Sequence, residues 1–301
     1  MENLTYLRRR IRDLENEPEK ALPFMEQAAE LGDYPSICSV IHAYTYGDMG
    51  FKPNPQKVFR FTLMGAEQGI GWCQFNAAVF YRDGTGCERD LDKSTYWMIQ
   101  AAQGDESRAY LPAAEVTARE GDYGQARSFC KKALDTDRHD QAVKLLGRLY
   151  EEEGVMWREK GDHVLAAACF EQGAELDSAA CCVALAYEYS LADGVGQDLK
   201  KTYEYSLKAA DLGEPAGMYN VSMCLREGAG CTADDREAFE WMKNAANIRF
   251  EQAYLPLAQH YLYGVGVRSD RAQAERWGRL ALKAEPDNQV VQKFMKEISG
   301  I

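Results

Sequence analysis

The sequence predicts an all-α protein, a solenoid of about seven antiparallel helix pairs with terminal capping helices. Three observations predict it. Segments from Leu185, Val221 and Leu257 align without a gap at a spacing of 36 residues. In each, a glycine-containing loop and an aspartate separate two stretches whose apolar residues recur at helical spacing. One such pair holds too little core to stand alone, so the copies must stack.

The elements follow in order. Leu4, Leu7, Ile11 and Leu14 form a helical stripe, and Lys20, Ala21, Phe24, Ala28, Ala29 and Gly32 repeat the second-helix pattern, so residues 1–35 read as an N-terminal cap unit. Residues 36–105 hold two repeats. The one from Val40 fits with one extra loop residue, and the one from Ala77 carries Gly84, Gly86, Asp90, Lys93, Trp97, Ala101 and Ala102. Residues 106–178 hold two divergent units. In the first, Gly121-Asp122-Tyr123 leads directly into Ala126 and Ala133. In the second, a helix with Leu146, Gly147 and Tyr150 extends through Val155 and Trp157 to a turn at Gly161-Asp162. Residues 179–285 hold the three regular copies. Residues 286–301 give a C-terminal capping helix after Pro286, with Val290, Val291, Phe294, Met295 and Ile298 on it. Residues 1–301 thus read as one continuous array.

Each recurring residue type has a physical task. Gly84, Gly228 and Gly264 can take the left-handed conformation that ends a helix. Asp90, Asp198, Asp234 and Asp270 can accept the orphan amides of the next helix, and Asp234 with Glu237 and Asp270 with Gln273 have capping-box spacing. Ala209, Ala210, Ala245 and Ala246 let neighbouring helices approach, while Trp97, Trp241 and Trp277 supply bulk on the same element.

These residues resemble the Sel-one-like repeat family, relatives of tetratricopeptide repeats. The match rests on leucine and tyrosine in the first helix, G-x-G-V, aspartate, a lysine–alanine pair, an aromatic and a double alanine. Ala192 departs from the first glycine, and Cys87 and Cys231 stand where the valine would. The two units over 106–178 are similar to the tighter tetratricopeptide pattern. The resemblance implies a right-handed α-α superhelix whose first helices line a concave face, and a role as an adaptor.

Composition sets the exclusions. Hydrophobic residues are 46% of the chain, which excludes a disordered polypeptide. Acidic residues outnumber basic ones, 47 to 35, and the net charge is −12. Nucleic acid is therefore not an expected partner, since phosphate contacts demand a basic face. Arg8, Arg9, Arg10 and Arg12, the one basic cluster, read as a solvated helix face. No long apolar run is present, so no membrane partner is expected. The start MENLTYLRRRIRD lacks the apolar stretch of a secretion leader, so a cytoplasmic protein is expected. The oligomeric state is open, with a monomer favoured.

No catalytic constellation emerges. The nine cysteines form no C-x-x-C and no zinc spacing. Cys73 and Cys181 share positions with Gly217 and Ala253, which reads as buried packing; the adjacent Cys181 and Cys182 are the one pair open to redox chemistry. His42, His139, His163 and His260 lie in different copies or elements, and the run Glu151, Glu152, Glu153 reads as a solvated face. No metal and no cofactor is expected. The function expected is a non-catalytic scaffold that binds a protein or peptide segment; a small-ligand or cell-wall-fragment binder and a self-assembling structural protein are the alternatives. By analogy with tetratricopeptide arrays, the groove-facing positions are His42, Tyr46, Trp72, Phe75, Arg82, Glu115, Arg119, Lys144, Arg148, Tyr187, Tyr219, Arg226, Gln259 and Tyr263. They are rich in Trp, Tyr and Arg, the types that dominate binding hot spots. The four arginines suit carboxylates of a bound segment.

Overall fold

A computed structural model of the chain describes residues 2–47, 52–191 and 194–299. Ala192 and the loop residues 48–51 of the copy from Val40 lie outside the described residues. Among the described residues there are 17 α-helices, two short 3-10 turns and no strand. The fold divides into two compact units, one ending at Val143 and the other starting at Lys144.

The first unit runs α1 (Glu2–Asp13), α2 (Pro18–Glu30), α3 (Tyr34–Tyr46), α4 (Pro55–Glu67), α5 (Gly71–Asp83), α6 (Leu91–Gln103), α7 (Tyr110–Arg119) and α8 (Tyr123–Ala133). Each packs on the next in chain order. Of the N-terminal stripe, Leu7 is fully buried, while Leu4, Ile11 and Leu14 are half-buried. The basic cluster is partly structural: Arg8 pairs with the buried Asp33 at 2.6 Å, and the Arg10 guanidinium lies 5.3 Å from the Phe24 ring. The division between units falls inside α9 (His139–Glu159), the extended helix that the sequence foresees.

The second unit continues with α10 (His163–Glu175), α11 (Ala179–Ser190), α12 (Leu199–Asp211), α13 (Pro215–Glu227), α14 (Asp235–Asn247), α15 (Tyr254–Tyr263), α16 (Arg271–Ala284) and α17 (Gln289–Ser299). From α10 onward consecutive helices pack together, and the first helices α11 and α13 also touch directly. α17 closes the end by burying Val291, Phe294 and Ile298, while Val290 stays exposed.

The hairpin within a copy is closed by hydrogen bonds that repeat. Asn54, Asp90, Asp198, Asp234 and Asp270 each accept from an amide in the first turn of the second helix. Their own amides donate back to the first helix, at Tyr44, Tyr81, Tyr189, Leu225 and Tyr261. This changes the expected capping box. The Asp234 amide already bonds the Leu225 carbonyl at 3.0 Å, and Glu237 accepts from Trp241 Nε1 instead. Where lysine follows the cap, its ammonium lies over the same tyrosine: Lys57 on Tyr44, Lys93 on Tyr81 and Lys201 on Tyr189, at 4.4 to 5.4 Å.

Contact between copies explains two small-residue positions. The second glycine of the G-x-G loop has positive φ and sits on the start of the preceding second helix. A Cβ on Gly86, Gly230 or Gly266 would collide with the carbonyl oxygen of Pro55, Leu199 or Asp235. Eight residues ahead of the leading small residue at or just before a first helix stands a small residue of the preceding second helix. The pairs are Gly65 with Cys73, Gly173 with Cys181, Ala209 with Gly217 and Ala245 with Ala253. A Cβ on Gly65 or Gly173 would run into the cysteine sulfur, and one on Gly217 would stand 2.7 Å from the Ala209 Cβ. Volume added on one side is therefore removed on the other.

Gly173→Ala should destabilise the chain by about 1–3 kcal/mol through overpacking. Gly173→Ala with Cys181→Ala recreates the native Ala245–Ala253 pair and should recover most of that loss. Urea denaturation of both singles and the double measures the coupling; strictly additive effects would refute the complementary-pair account.

Cys73, Cys130, Cys181, Cys182 and Cys224 are buried, and no cysteine is in a disulfide. Burial pushes the Cys73 thiol up to about 12 and those of Cys181 and Cys224 up to about 11. A thiol reagent should therefore react quickly with at most the four partly exposed cysteines of the native chain and with all nine in denaturant. Fast native labelling of Cys73 or Cys181 would contradict this packing.

Candidate functional site

The positions expected to face a partner fall into separate neighbourhoods. In the first unit, the His42 and Tyr46 rings lie 4.8 Å apart, tilted by 50°, on the exposed side of α3. Trp72 is half-buried, packs on Ala66, Cys73 and Ala77, and donates to the Tyr34 hydroxyl at 3.4 Å. The Arg108 guanidinium covers the Phe75 ring at 4.8 Å. Arg82 pairs with its neighbour Asp83 at 2.8 Å, while Glu115 and Arg119 lie exposed on α7.

In the second unit, Lys144 and Arg148 are exposed on α9, with Arg148 3.5 Å from Glu152. Arg226, Gln259 and Tyr263 come together around a small cleft with His260 and Val265. Tyr263 donates to Glu297 of α17 at 3.0 Å, so the capping helix already engages it. Of the four arginines expected to hold carboxylates, Arg82 and Arg148 have acidic neighbours of their own.

Tyr187 and Tyr219 open onto a larger groove of about 590 Å³, formed by α9, α11 and α13 with the turn ahead of α15. Its walls combine three kinds of surface. Tyr187, Tyr219 and Phe250 are aromatic, with Tyr219 edge-on to Phe250 at 5.9 Å. Ala180, Val183, Ala184 and Ala216 are small and apolar, and Asn220 and Gln252 offer carboxamides. Glu151, Glu214 and Arg158 supply the charge.

The charges are not equivalent. Arg158 Nε lies 3.6 Å from the carboxylate of Glu188, a side chain with no solvent exposure. The other Glu188 oxygen is 2.8 Å from His163 Nδ1. The Arg158 guanidinium is also held 5.0 Å from the Phe170 ring and 5.6 Å from Tyr187. Arg158 thus answers a buried carboxylate and orients an aromatic wall. Glu151 and Glu214 have no such answer: among the described residues neither has a basic partner. Glu214 precedes α13 without capping it through its side chain. Burial pushes the Glu151 carboxyl above its usual range, and repulsion from Glu152 and then Glu214 adds to that.

Glu151 corrects the reading of its acidic run as one solvated face. Successive helical residues point about 100° apart, so the three glutamates cannot share a side. Glu151 is turned to the groove and Glu152 to solvent. A signal for it existed. The 36-residue register extended one copy back from Tyr187 lands on Glu151, and from Leu185 on Leu149, which is fully buried. A register centred on Leu146 points to Lys144 and Arg148 instead, two residues before and two after it.

Among the described residues no group of three or more His, Cys, Asp or Glu is placed to hold a metal, and no helix is long and apolar enough to cross a membrane. Stacked helix pairs with a side-chain-lined groove between first helices define an α-helical repeat scaffold. The Sel1 repeat model matches residues 12–33, 41–70, 73–106, 141–178, 179–214, 215–248 and 252–285, and the chain belongs to the Sel1 repeat family. The second divergent unit is thus a Sel1 repeat, while residues 107–140 fall between matches.

Solved structures that share the fold include the following two. One is a protective antigen of uropathogenic Escherichia coli displaying an SLR fold, 23% identical, with a TM-score of 0.53 over 94% of this chain and 60% of that one. The other is a Sel1 repeat protein from Oxalobacter formigenes, 23% identical, with a TM-score of 0.52 over 93% of this chain and 80% of that one. Among curated proteins, chitin synthase regulatory factor 3 of Schizosaccharomyces pombe is 25% identical over 73% of this chain, and the chitin synthase regulator SKT5 of Saccharomyces cerevisiae is 29% identical over 29% of it. The chain spans 21% and 12% of the lengths of these two relatives.

Because the folded chain raises the affinity of Glu151 for a proton, stability should fall as pH rises from the ordinary glutamate value of about 4.3 through the raised one. Above that window the penalty is fully present. Glu151→Gln should therefore raise the melting temperature at pH 7, with a smaller gain at pH 4. A lowered melting temperature at pH 7 would show that the carboxylate is stabilising instead.

Proposed function

We propose that this chain is a non-catalytic adaptor that holds a segment of another protein along the first-helix surface of its repeats. The observation that carries this reading is the groove itself. Exposed Tyr187, half-buried Tyr219, and Glu151 and Glu214, which have no basic partner among the described residues, face one space, although side chains unconstrained by a task would pair or retreat. The Sel1 repeat is a non-catalytic scaffold type, and the curated relatives are named as regulators, which supports a regulatory role exerted by binding. A cytoplasmic location belongs to the same proposal, supported by cysteines that serve as small packing groups.

Hydrogen exchange on the chain bound to a captured and purified partner tests this reading. Protection should fall on first helices, α11 and α13 among them. Tyr187→Ala and Arg226→Ala should each weaken binding by roughly 2 kcal/mol with the melting temperature held. Trp72→Ala is a poorer probe, because Trp72 also packs on Ala66, Cys73 and Ala77. A footprint confined to second helices or to α1 and α17 would rule the proposal out.

A further inference from the structure

The groove of the second unit carries a sharper reading, which rests on the adaptor proposal and names what the bound segment must contain. We propose that the groove between α9, α11 and α13 receives a single basic side chain, lysine or arginine, from a partner polypeptide. Three features converge on that occupant. Glu151 and Glu214 enter the same space and repel one another, and neither has a basic partner among the described residues. Two like charges at a part-buried site cost free energy that a cation placed between them reverses.

The second feature is the wall. Tyr187, Tyr219 and Phe250 line it with aromatic rings, and Ala184 and Ala216 with small apolar side chains. A long aliphatic stem lies along such surface while its cationic head meets carboxylates and rings. An inorganic cation needs a shell of oxygen ligands, which aromatic walls do not give. The third feature is Arg158. Its charge is taken up by the buried Glu188 at 3.6 Å, so it does not quench the two glutamates and instead braces Tyr187. Asn220 and Gln252 can pair with the donor or acceptor of the segment's backbone. This reverses the polarity expected from the arginines of the first helices. The segment is chosen for its cation, not for its carboxylates.

The test uses a displayed library of random 12-residue peptides selected on the full chain, followed by anisotropy measurements on synthetic copies of the winners. Selected peptides should share a lysine or arginine beside apolar residues. Replacing that residue with norleucine should cost at least about tenfold in affinity. The double variant Glu151→Gln, Glu214→Gln should lose the same preference while melting no lower than the parent. Raising salt should weaken the parent more than the double variant. Peptides that protect the first helices yet tolerate norleucine would overturn the basic-side-chain assignment and leave the adaptor reading standing. Peptides that protect only second helices, or no selected peptides at all, would overturn both. Should the double variant fold poorly, the norleucine exchange on the unmodified chain still decides the matter.

Discussion

Two packed helices come as close as the side chains between them allow, and here that distance is set by one pair of small residues at each junction. Gly65 with Cys73, Gly173 with Cys181, Ala209 with Gly217 and Ala245 with Ala253 are four solutions to one volume problem. The interior is close-packed, so a single atom added on either side has nowhere to go. Everything on the outer faces inherits that spacing. First helices of successive copies are brought near enough for α11 and α13 to touch, and the groove is the gap that remains between their outward side chains.

The glycine loop serves the same end from the other side of the copy. Its second glycine rests on the first turn of the preceding second helix, where any side chain would push the copies apart. Meanwhile the capping residue is tied twice, by its side chain to its own helix and by its amide to the helix before. A copy is thus stiff within itself and indexed against its neighbour. Glu151 and Glu214 project from two such indexed elements, α9 and the start of α13, into one groove.

The repeat, its helices and its caps were legible in the sequence because each depends on local chemistry repeated at a fixed interval. Asp90, Asp198, Asp234 and Asp270 cap where their spacing says they should. Cys73 and Cys181 were legible as packing groups through the glycine and alanine that replace them elsewhere. The groove was half legible. Tyr187 and Tyr219 follow from the copy register, but Glu151 was hidden by an atypical first helix of 21 residues, in which more than one leucine could lead. The neutralisation of Arg158 by Glu188 could not be read at all. Glu188 occupies the position held by Cys224 and His260 in the next copies, so nothing in the repeat marks it as an anion, and its partners come from α9 and the start of α10.

Comparison among the copies separates the residues that build the array from those that face outward. At the loop glycine, the cap and the small packing position the last three copies agree: Gly194, Gly230 and Gly266; Asp198, Asp234 and Asp270; Ala209, Ala245 and Ala281. At the groove they diverge. Ala180, Ala216 and Gln252 are equivalent to one another, as are Val183, Tyr219 and Leu255, and Tyr187, Met223 and Gln259. The positions that build the array and those that line the groove are therefore different positions of the same 36-residue unit. The separation is not complete, because Tyr219, Met223 and Leu255 also pack against the core cluster of the last copies. The particular set found here, two carboxylates without a basic partner among the described residues and lined by aromatic rings, is a property of this chain and not of the repeat.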